Sequence, residues 1–307
     1  MRYYFAPLEG ITDSIYRKLH HQYYPGIDRY YTPFLSPTIH RGLTNKEQKE
    51  IPLACAIPYS CVPQILTKNT DDFLWLAHQC QDLGYAEVNL NLGCPSGTVT
   101  AKGKGSGMLR EPEVLDRFLD SIFSGTDIPI SVKTRIGYNS PDEFPQILDI
   151  FNRYPICELI IHPRVRHDFY NGCVNIEMFE YAVKHSHAPL CYNGDIANSS
   201  QLTSLPQVNS VMIGRGFIAN PGMLNNDMDQ NKLKQFLGDL LEAYTLDFGS
   251  SRNAIFRLKE HWHYLQNSFV GCEKMIKQLR KTTDISSFKQ ITETIFSNCQ
   301  FNPQENN

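Results

Sequence analysis

Short apolar runs alternate with amphipathic stretches from the N-terminus to Pro221. Eight runs are rich in β-branched and aromatic residues and have the length of a strand. The predicted strands are residues 3–7, 28–33, 61–66, 86–91, 129–134, 157–162, 189–193 and 210–214. The stretches between them show helical spacing or acidic residues that favour a helix start. The predicted helices are residues 13–22, 70–83, 113–124, 142–153, 175–185 and 199–205.

Strands that alternate with helices predict a parallel sheet, and eight strands are the number that closes a barrel. Pro63 interrupts the third predicted strand, which is unusual for a central strand. The alternative is a doubly wound sheet, which is expected to carry a glycine-rich turn after its first strand. The turn here, APLEGITD, has one glycine, and the pattern therefore favours a (β/α)8 TIM barrel.

The alternation stops after Pro221. Residues 231–248, 252–269 and 272–281 are predicted as amphipathic helices with no strand between them, and residues 301–307 as a frayed tail. We therefore expect two domains, a catalytic barrel over residues 1–227 and a helical domain over residues 228–307.

Composition narrows the class of protein. A chain of 307 residues, 41% of them hydrophobic, can form one large core and a smaller appendage. Its nine cysteines include no CxxC pair, which argues against a disulfide framework or a zinc site and favours a reducing cytoplasm. No apolar run approaches the ~20 residues of a membrane span. The net charge of −3 means that any nucleic-acid surface must be local.

Polar side chains and turn residues gather where the predicted strands end. In a barrel of this type the active site lies at the carboxyl ends of the strands. Each residue alone is usual for a surface or a turn, but their joint occurrence at one end indicates a ligand site. The residues are Pro7 and Leu8, Gln64, Asn89, Asn91 and Cys94, Lys133 and Arg135, His162 and Arg164, Asn193-Gly194-Asp195, and Gly214-Arg215-Gly216.

The last two predicted strands are followed by NGDI and IGRG, which provide backbone N–H groups and one arginine. Loops after strands seven and eight form the recurring phosphate site of these barrels. Arg215 can bind phosphate oxygens through two parallel hydrogen bonds. We therefore expect a phosphorylated cofactor at residues 193–195 and 214–216. Lys133 and His162 would face its middle, where a lysine stabilises the negative charge of a reduced flavin.

Six motifs together resemble the tRNA-dihydrouridine synthases in order and spacing, over roughly residues 3 to 224. They are APLEGITD, NLNLGCP with the downstream GKGSGML, SVKTRIG, IIHPRVRHDFYNG, YNGDI and VMIGRG. The resemblance implies an FMN-dependent barrel that reduces selected uridines of tRNA to 5,6-dihydrouridine, with NADPH as the electron donor. It implies a catalytic Cys94 with Asn91 near the uracil. The implied flavin contacts are Pro7, Leu8, Gln64, Lys133, His162, Asn193, Gly194, Asp195, Gly214 and Arg215.

Cys94 lies in the loop directly after a predicted strand. Reduction of the C5=C6 bond of uracil needs a hydride at C6, which reduced flavin delivers from N5, and a proton at C5. A thiol titrates near pH ~8.5 and can donate a proton at neutral pH. We therefore predict Cys94 as the general acid. Asn89 and Asn91 are two apart on a strand and point to one face, where either can contact the base or the flavin.

Two groups of cations are candidates for RNA binding. Lys277, Arg280 and Lys281 recur near helical spacing in the C-terminal region and predict a basic stripe, although solvated surface charge explains them equally well. Arg164 and Arg166 are expected at backbone phosphates of a uridine that has left its stack. The glycines of GKGSG at 103–107 do not form a dinucleotide fingerprint and predict a mobile loop.

Two alternatives remain open. An FMN barrel that acts on a free pyrimidine, like the dihydroorotate dehydrogenases, needs no basic helical appendage. A non-catalytic tRNA-binding protein would bind RNA without oxidising NADPH. The expected protein is a cytoplasmic monomer without a metal site or a membrane anchor.

Overall fold

In the computed structural model, residues 1–38, 40–206, 208–227 and 229–302 are described. The strands are β1 (Arg2–Phe5), β2 (Arg29–Tyr31), β3 (Cys61–Val62), β4 (Gln64–Ile65), β5 (Val88–Leu92), β6 (Ile130–Gly137), β7 (Leu159–Val165), β8 (Leu190–Asn193), β9 (Ser210–Ile213), β10 (Phe269–Val270) and β11 (Gln300–Phe301). The helices are α1 (Ser14–Tyr23), α2 (Asn45–Glu50), α3 (Thr70–Asp82), α4 (Gly97–Thr100), α5 (Pro112–Gly125), α6 (Phe144–Phe151), α7 (Ile176–His185), α8 (Arg215–Ala219), α9 (Gln230–Phe248), α10 (Ser251–Leu265), α11 (Glu273–Lys281) and α12 (Ile285–Asn298).

Strands β1 to β9 form one parallel sheet in the order β3-β2-β1-β9-β8-β7-β6-β5-β4. The two outermost strands, β3 and β4, are consecutive along the chain with only Pro63 between them. The third predicted strand is therefore one extended run, whose first half pairs with β2 and whose second half pairs with β5. This run closes the sheet, and the predicted (β/α)8 barrel is confirmed.

Pro63 divides that run because proline has no N–H group to donate to a neighbouring strand. Its carbonyl accepts a hydrogen bond from the N–H of Asn89 at 2.8 Å. The N–H of Gln64, the next residue, donates to the hydroxyl of Thr32 at 2.9 Å. The backbone thus changes partners at the proline, which explains how a strand with an internal proline is accommodated.

The barrel core follows from the apolar runs. Every residue of β5 and of β7 is buried, as expected for parallel strands that are covered on both faces. Helix α3 buries Phe73 and Leu76, and helix α5 buries Leu115 and Leu119. Full burial of one such side chain stabilises the fold by about 1.5–3 kcal/mol.

The chain forms two compact units. The first comprises Met1–Pro7, Asp28–Gly194 and Pro206–Met212, and the second comprises Leu8–Ile27, Asp195–Leu205 and the chain from Ile213 onward. These units do not coincide with the expected domains 1–227 and 228–307, because α1 belongs to the second unit. The boundary at residue 228 stays a prediction.

Within the second unit, α1 is held by residues of α9 and α10. Asp13 caps α1 by accepting a hydrogen bond from the N–H of Tyr16 at 3.0 Å, and it also accepts one from the Tyr244 hydroxyl at 2.9 Å. The ring of Tyr16 is stacked on His261, with centroids 4.8 Å apart. Both rings are almost fully buried, so the N-terminal helix and two C-terminal helices share one core.

The last part of the chain is more ordered than the sequence indicates. Helix α12 was not predicted, and β10 pairs with β11 through Phe269 and Phe301. The expectation of a frayed tail is therefore wrong at Phe301, and residues 303–307 lie outside the described residues. The predicted helix at 199–205 is a 3-10 helix, Ser199–Ser204. Among the described helices, none combines the length and the apolar character needed to cross a membrane.

Candidate active site

Cys94 lies directly after β5, in a turn that its neighbours hold from two sides. The side-chain oxygen of Asn91 accepts hydrogen bonds from the N–H groups of Gly93 and Cys94, at 3.1 and 2.9 Å. The carbonyl of Cys94 accepts from the hydroxyl of Ser106 at 2.8 Å and from its N–H at 3.2 Å. The cysteine is partly exposed, so the turn presents the thiol while its backbone is fixed.

The glycine-rich segment supports this turn. Gly105 has φ of +58°, and a Cβ atom there would lie 2.9 Å from the carbonyl oxygen of Cys94. A Cβ on Gly107 would lie 2.7 Å from the carbonyl oxygen of Thr100. Both glycines are buried in a 3-10 helix, Gly105–Arg110, where the sequence predicted a mobile loop. The glycines are needed because the backbone approaches the cysteine turn so closely.

Three amide side chains and one hydroxyl form a buried chain of hydrogen bonds beneath the cysteine turn. The amide nitrogen of Gln64 donates to Asn89 at 2.8 Å, and Asn91 donates to the amide oxygen of Gln64 at 2.7 Å. Asn89 donates in turn to the hydroxyl of Ser131 at 2.8 Å. These contacts fix the amide orientations and connect Gln64 to the turn through Asn91. The expected contacts of Gln64 to flavin, and of Asn89 and Asn91 to substrate, stay predictions.

Lys133 on β6 donates a hydrogen bond to the amide oxygen of Asn193 at 2.7 Å. The amide nitrogen of Asn193 donates to the carbonyl of Met212 at 2.8 Å, which turns its oxygen toward the lysine. Burial lowers the pKa of Lys133 to about 8, and the nearby charge of Arg135 acts in the same direction. An ammonium group has three protons to donate, and this contact uses one.

His162 and Arg164 lie two residues apart on β7. A guanidinium nitrogen of Arg164 lies 3.1 Å from Nε2 of His162. Arginine has only donors, so Nε2 accepts and the ring proton belongs on Nδ1. Arg164 also donates to the carbonyls of Asn171, at 3.1 Å, and Gly172.

Arg164 is almost fully buried and holds the loop that follows β7. The sequence placed this arginine at RNA phosphates, and that role stays a prediction.

Arg135 joins the two loops that border this region. It donates to the carbonyl of Gly93 at 3.0 Å and to the carbonyls of Val165 and Phe169 at 2.9 and 2.6 Å. Burial lowers its pKa to about 10. The sequence placed Arg135 at a strand end without a role. Arg135 lies two residues after Lys133 on one strand, and alternate residues of a strand share a face. This spacing could have indicated that Arg135 belongs to the same site as Lys133.

Of the expected phosphate-binding residues, Asp195 and residues 214–216 belong to the second unit, whereas Asn193 and Gly194 belong to the first. Arg215 donates to the carboxylate of Asp195 at 2.7 Å, and Asp195 has φ of +42°. Gly214 precedes α8, and a Cβ on Gly216 would lie 2.2 Å from the carbonyl oxygen of Ile196. The N–H of Leu8 donates to the hydroxyl of Thr12 at 2.8 Å.

The expected cofactor contacts of Pro7, Leu8, Gly194, Asp195, Gly214 and Arg215 stay predictions. For Gly194, a Cβ would lie 2.8 Å from a methyl group of Val174, so packing within the first unit requires glycine there.

The predicted basic stripe lies on α11. Lys277, Arg280 and Lys281 are exposed, while Ile276 and Leu279 of the same helix are buried. The helix is therefore amphipathic, with its cations toward solvent. Binding of RNA by these cations stays a prediction.

The loop after β7 carries aromatic residues to which the sequence assigned no role. Phe169 and Tyr170 are 40% and 55% exposed. The guanidinium of Arg135 lies 5.5 Å from the ring centre of Tyr170, and that ring is stacked on His162 at 6.2 Å. The motif HDFYNG could have indicated a ligand-contacting loop, since two adjacent aromatic residues in a loop are rarely needed for packing.

Two further observations concern metals and disulfides. The described residues contain no group of three or more His, Cys, Asp or Glu side chains placed to hold a metal ion. The nine cysteines, which all lie in the described ranges, form no disulfide.

Comparison with known proteins gives the following similarities. A family model described as Dihydrouridine synthase (Dus) matches residues 4–305. A "Probable tRNA-dihydrouridine synthase" of Staphylococcus epidermidis is 27% identical over 312 residues, which covers 94% of this chain and 92% of that protein. A "Probable tRNA-dihydrouridine synthase 1" of Synechocystis is 29% identical over 322 residues, with coverage of 95% and 85%. Among solved structures, an old yellow enzyme homologue of Zymomonas mobilis is 11% identical, covers 73% of this chain and 87% of its own, and has a TM-score of 0.49.

Proposed function

This chain belongs to the dihydrouridine synthase family, and we propose that it reduces uridines of tRNA to 5,6-dihydrouridine. The proposed resident cofactor is FMN, and the proposed electron donor is NADPH. The observation that carries the proposal is the fixed turn of Cys94, which presents a thiol at the carboxyl end of β5. The relatives named as tRNA-dihydrouridine synthases support tRNA as the substrate.

The residues of the first unit fit a flavin. Lys133 donates to a neutral amide, and its pKa is lowered by burial and by the nearby charge of Arg135, so a negative charge beside it would be stabilising. A flavin offers that charge when its ring is reduced. His162 accepts from Arg164 at Nε2 and carries its ring proton on Nδ1, and Gln64 contributes an amide. This set of neutral and cationic donors suits the carbonyl and imide edge of the ring.

In the proposed reaction, bound FMN supplies the hydride that is added to C6 of the uracil. Cys94 holds the proton for C5. The Sγ–H bond breaks as the C5–H bond forms, and the resulting thiolate regains a proton from solvent, to which Cys94 is partly open. Arg135 donates to the carbonyl of Gly93, the residue before Cys94, and Lys133 lies two residues before Arg135 on the same strand. These cations stabilise the thiolate that proton transfer leaves behind.

Positioning of the thiol depends on groups that do not react. Asn91 receives both N–H groups of the turn, Ser106 binds the Cys94 carbonyl, and Arg135 binds the Gly93 carbonyl. Each of these contacts fixes the backbone on a different side. A proton donor held in this way loses little freedom when the base arrives, which lowers the barrier to transfer.

Binding of tRNA is proposed to use the exposed cations Lys277, Arg280 and Lys281 of α11. A polyanion releases condensed counterions when such cations neutralise its phosphates. A local patch is required, because the chain as a whole has a net charge of −3.

The purified protein tests the proposal directly. We expect it to release FMN on denaturation and to form dihydrouridine in unmodified tRNA when NADPH is supplied. Dihydrouridine mapping by reverse transcription or mass spectrometry measures the product. Absence of product with FMN-loaded protein and unmodified tRNA overturns the proposal. Turnover of uracil or dihydroorotate without RNA indicates the free-pyrimidine alternative, and RNA binding without NADPH oxidation indicates a non-catalytic protein.

A further inference from the structure

A ladder of alternating cations and aromatic rings borders the Cys94 turn. The guanidinium of Arg110 lies 4.8 Å from the ring centre of Tyr138, and that of Arg166 lies 5.5 Å from the same ring. Arg166 also lies 4.8 Å from the ring centre of Phe169. The order Arg110–Tyr138–Arg166–Phe169 is continuous, and we call it the cation–aromatic ladder.

Hydrogen bonds of Arg166 and Phe169 connect the ladder to the region around Cys94. Arg166 donates to the hydroxyl of Thr100 at 3.4 Å, in the short helix α4 that follows the Cys94 turn. The carbonyl of Phe169 binds Arg135, which also binds the carbonyl of Gly93. The ladder is therefore linked to both sides of Cys94 in the sequence, to Gly93 through Arg135 and to Thr100 of α4 through Arg166.

Phe169 ends the ladder in an unusual conformation. Its φ is +51°, a region that non-glycine residues rarely adopt and that costs about 1–2 kcal/mol. Its side chain is 40% exposed, so burial of the ring does not offset this cost. An exposed phenylalanine in a strained backbone is a typical feature of a site that contacts a ligand.

The loop around Phe169 is held rigidly. Arg135 binds its carbonyl, and Arg164 binds the carbonyls of Asn171 and Gly172. Asp168 accepts a hydrogen bond from the N–H of Val165 at 3.1 Å. Buried charged groups thus fix the backbone on both sides of an exposed ring. A ring that is fixed before binding loses little conformational entropy when a partner stacks on it.

The chemistry of the ladder fits a nucleotide. An aromatic ring stacks on a base, and neighbouring guanidinium groups bind its phosphate. Glu143 is engaged by the N–H groups of Tyr138, Asn139 and Ser140, so this acid is occupied within its own turn. Arg110 and Arg166 provide positive charge beside the rings.

We propose that Phe169 stacks on a nucleobase adjacent to the uridine that is reduced, and that Arg166 and Arg110 bind the phosphates next to that base. The ladder would hold the RNA strand in an opened form while the target base is at Cys94. This inference rests on the proposed function, because it requires an RNA substrate. It adds to that function a contact with a nucleotide next to the target uridine. The residues that make this contact take no part in the transfer of hydride or proton.

The test uses the FMN-loaded protein, unmodified tRNA and the variants Phe169→Ala and Phe169→Trp. Stacking on an aromatic ring is lost in the first and kept in the second. We expect Phe169→Ala to weaken tRNA binding by about 5- to 150-fold, with little change in its dependence on salt, and Phe169→Trp to restore it. The thermal stability of Phe169→Ala should change little, since the ring is 40% exposed and alanine keeps the same backbone conformation.

A matched control is Tyr181→Ala on α7. Tyr181 is a partly exposed ring stacked on His185 at 4.1 Å, without a link to the Cys94 turn among the described contacts. This variant should bind tRNA like the wild type. Arg166→Ala should both weaken binding and reduce the salt dependence, because a phosphate contact is lost.

The base itself is identified with tRNA that lacks one base on either side of the target uridine. Removal of the stacked base should weaken binding to the wild-type protein and should have no further effect on Phe169→Ala, since both changes remove one contact. Binding of Phe169→Ala within twofold of wild type, or additive losses with both RNAs, would overturn the ladder proposal. Failure of the wild-type protein to form dihydrouridine would instead overturn the proposed function.

Discussion

The two edges of the barrel sheet both bury charge, but they compensate it differently. At the amino-terminal edge, Glu158 accepts hydrogen bonds from Tyr4 at 3.1 Å and Ser210 at 2.6 Å. It lies 3.7 Å from Arg29, which also binds Glu87 at 2.7 Å. Burial raises the pKa of the Tyr4 hydroxyl, and Glu158 raises it further, so this group stays protonated as a donor. Arg2, 3.4 Å from Glu158, supplies a second cation, so the two carboxylates face two guanidinium groups and opposite charges cancel within the network.

At the carboxyl edge, Lys133 donates to the amide oxygen of Asn193, and Arg135 donates to main-chain carbonyls. Neutral partners satisfy the donors without cancelling the charge, so positive potential remains at this edge. We therefore expect that the amino-terminal edge serves stability and that the carboxyl edge binds an anionic ligand, as is usual for the two ends of such barrels.

The largest expected effect is on proton transfer at the carboxyl edge. Cys94→Ala removes the proposed acid, so dihydrouridine formation should fall by about 10²–10⁴-fold. Reduction of the enzyme by NADPH should be unchanged, because it needs no proton at the uracil. Stopped-flow absorbance measures the two halves separately. Cys94→Ser keeps the shape of the side chain but is a far weaker acid, and it should be nearly as slow. Wild-type reoxidation by tRNA in Cys94→Ala would exclude this cysteine as the acid.

The next effect concerns stability at the amino-terminal edge. Glu158→Ala removes a buried carboxylate and with it the acceptor of the Tyr4 hydroxyl, while Ser210 keeps only the carbonyl of Leu190 at 3.2 Å. We expect the free energy of unfolding to fall by about 3 kcal/mol, measured by urea denaturation, while activity per folded molecule is kept. Glu113→Ala is the matched control, because Glu113 is 93% exposed and its contact to Arg117 is worth little. A specific loss of activity in Glu158→Ala would contradict the division between the two edges.

A smaller effect is expected from the proton of Lys133. Its pKa in the folded protein is about 8, below the value near ~10.4 of an unfolded chain, so between these values the unfolded state binds more protons. Stability of the flavin-free protein should therefore rise with pH across this window, and less so in Lys133→Met.

Binding of reduced FMN under anaerobic conditions should reverse the shift, because the anionic reduced ring favours the charged lysine. We expect proton uptake on binding near pH 9 and about tenfold weaker FMN binding in Lys133→Met, because a charge-assisted contact is lost. Calorimetry in buffers with different ionisation enthalpies measures both quantities. Equal proton uptake in the variant would show that another group is responsible.

The smallest effect is expected on the RNA-binding surface. Changing Lys277, Arg280 and Lys281 together to alanine should reduce the slope of log affinity against log salt concentration by about 2, since fewer phosphates are neutralised. Filter binding at several salt concentrations measures the slope. The control is Lys46→Ala with Lys49→Ala, which removes exposed cations from α2. An unchanged slope in the triple variant would place the RNA surface elsewhere.

The barrel was predictable from the sequence because its strands are buried on both faces and therefore appear as continuous apolar runs. The same pattern located Cys94, since its loop follows such a run directly. The strand that contains Pro63 was also predicted. Its division into β3 and β4 was not, because it depends on hydrogen bonds to Thr32 and Asn89, which are distant in sequence.

The partners of the polar side chains were not predictable. Asn91 binds the turn that follows it, and Arg164 binds carbonyls of Asn171 and Gly172. Both contacts depend on the conformation of a loop, and the pattern of hydrophobic residues does not predict loop conformation. Helix α12 was missed because ISSFKQITETIFSN is rich in β-branched residues of low helix propensity. Its cap at Asp284 and the burial of Phe288 and Ile295 stabilise it in the folded chain.

The shared core of α1, α9 and α10 has a consequence for the order of synthesis. Residues 14–23 leave the ribosome early, whereas their partners Tyr244 and His261 are made near the end. At about 5–20 residues per second, α1 waits for more than 10 seconds with its apolar face uncovered. A chain that stops before residue 228 never supplies these partners. Its helix α1 then remains uncovered and accessible to chaperones and proteases. We therefore expect that residues 1–227 cannot be produced as a stable protein without the C-terminal helices.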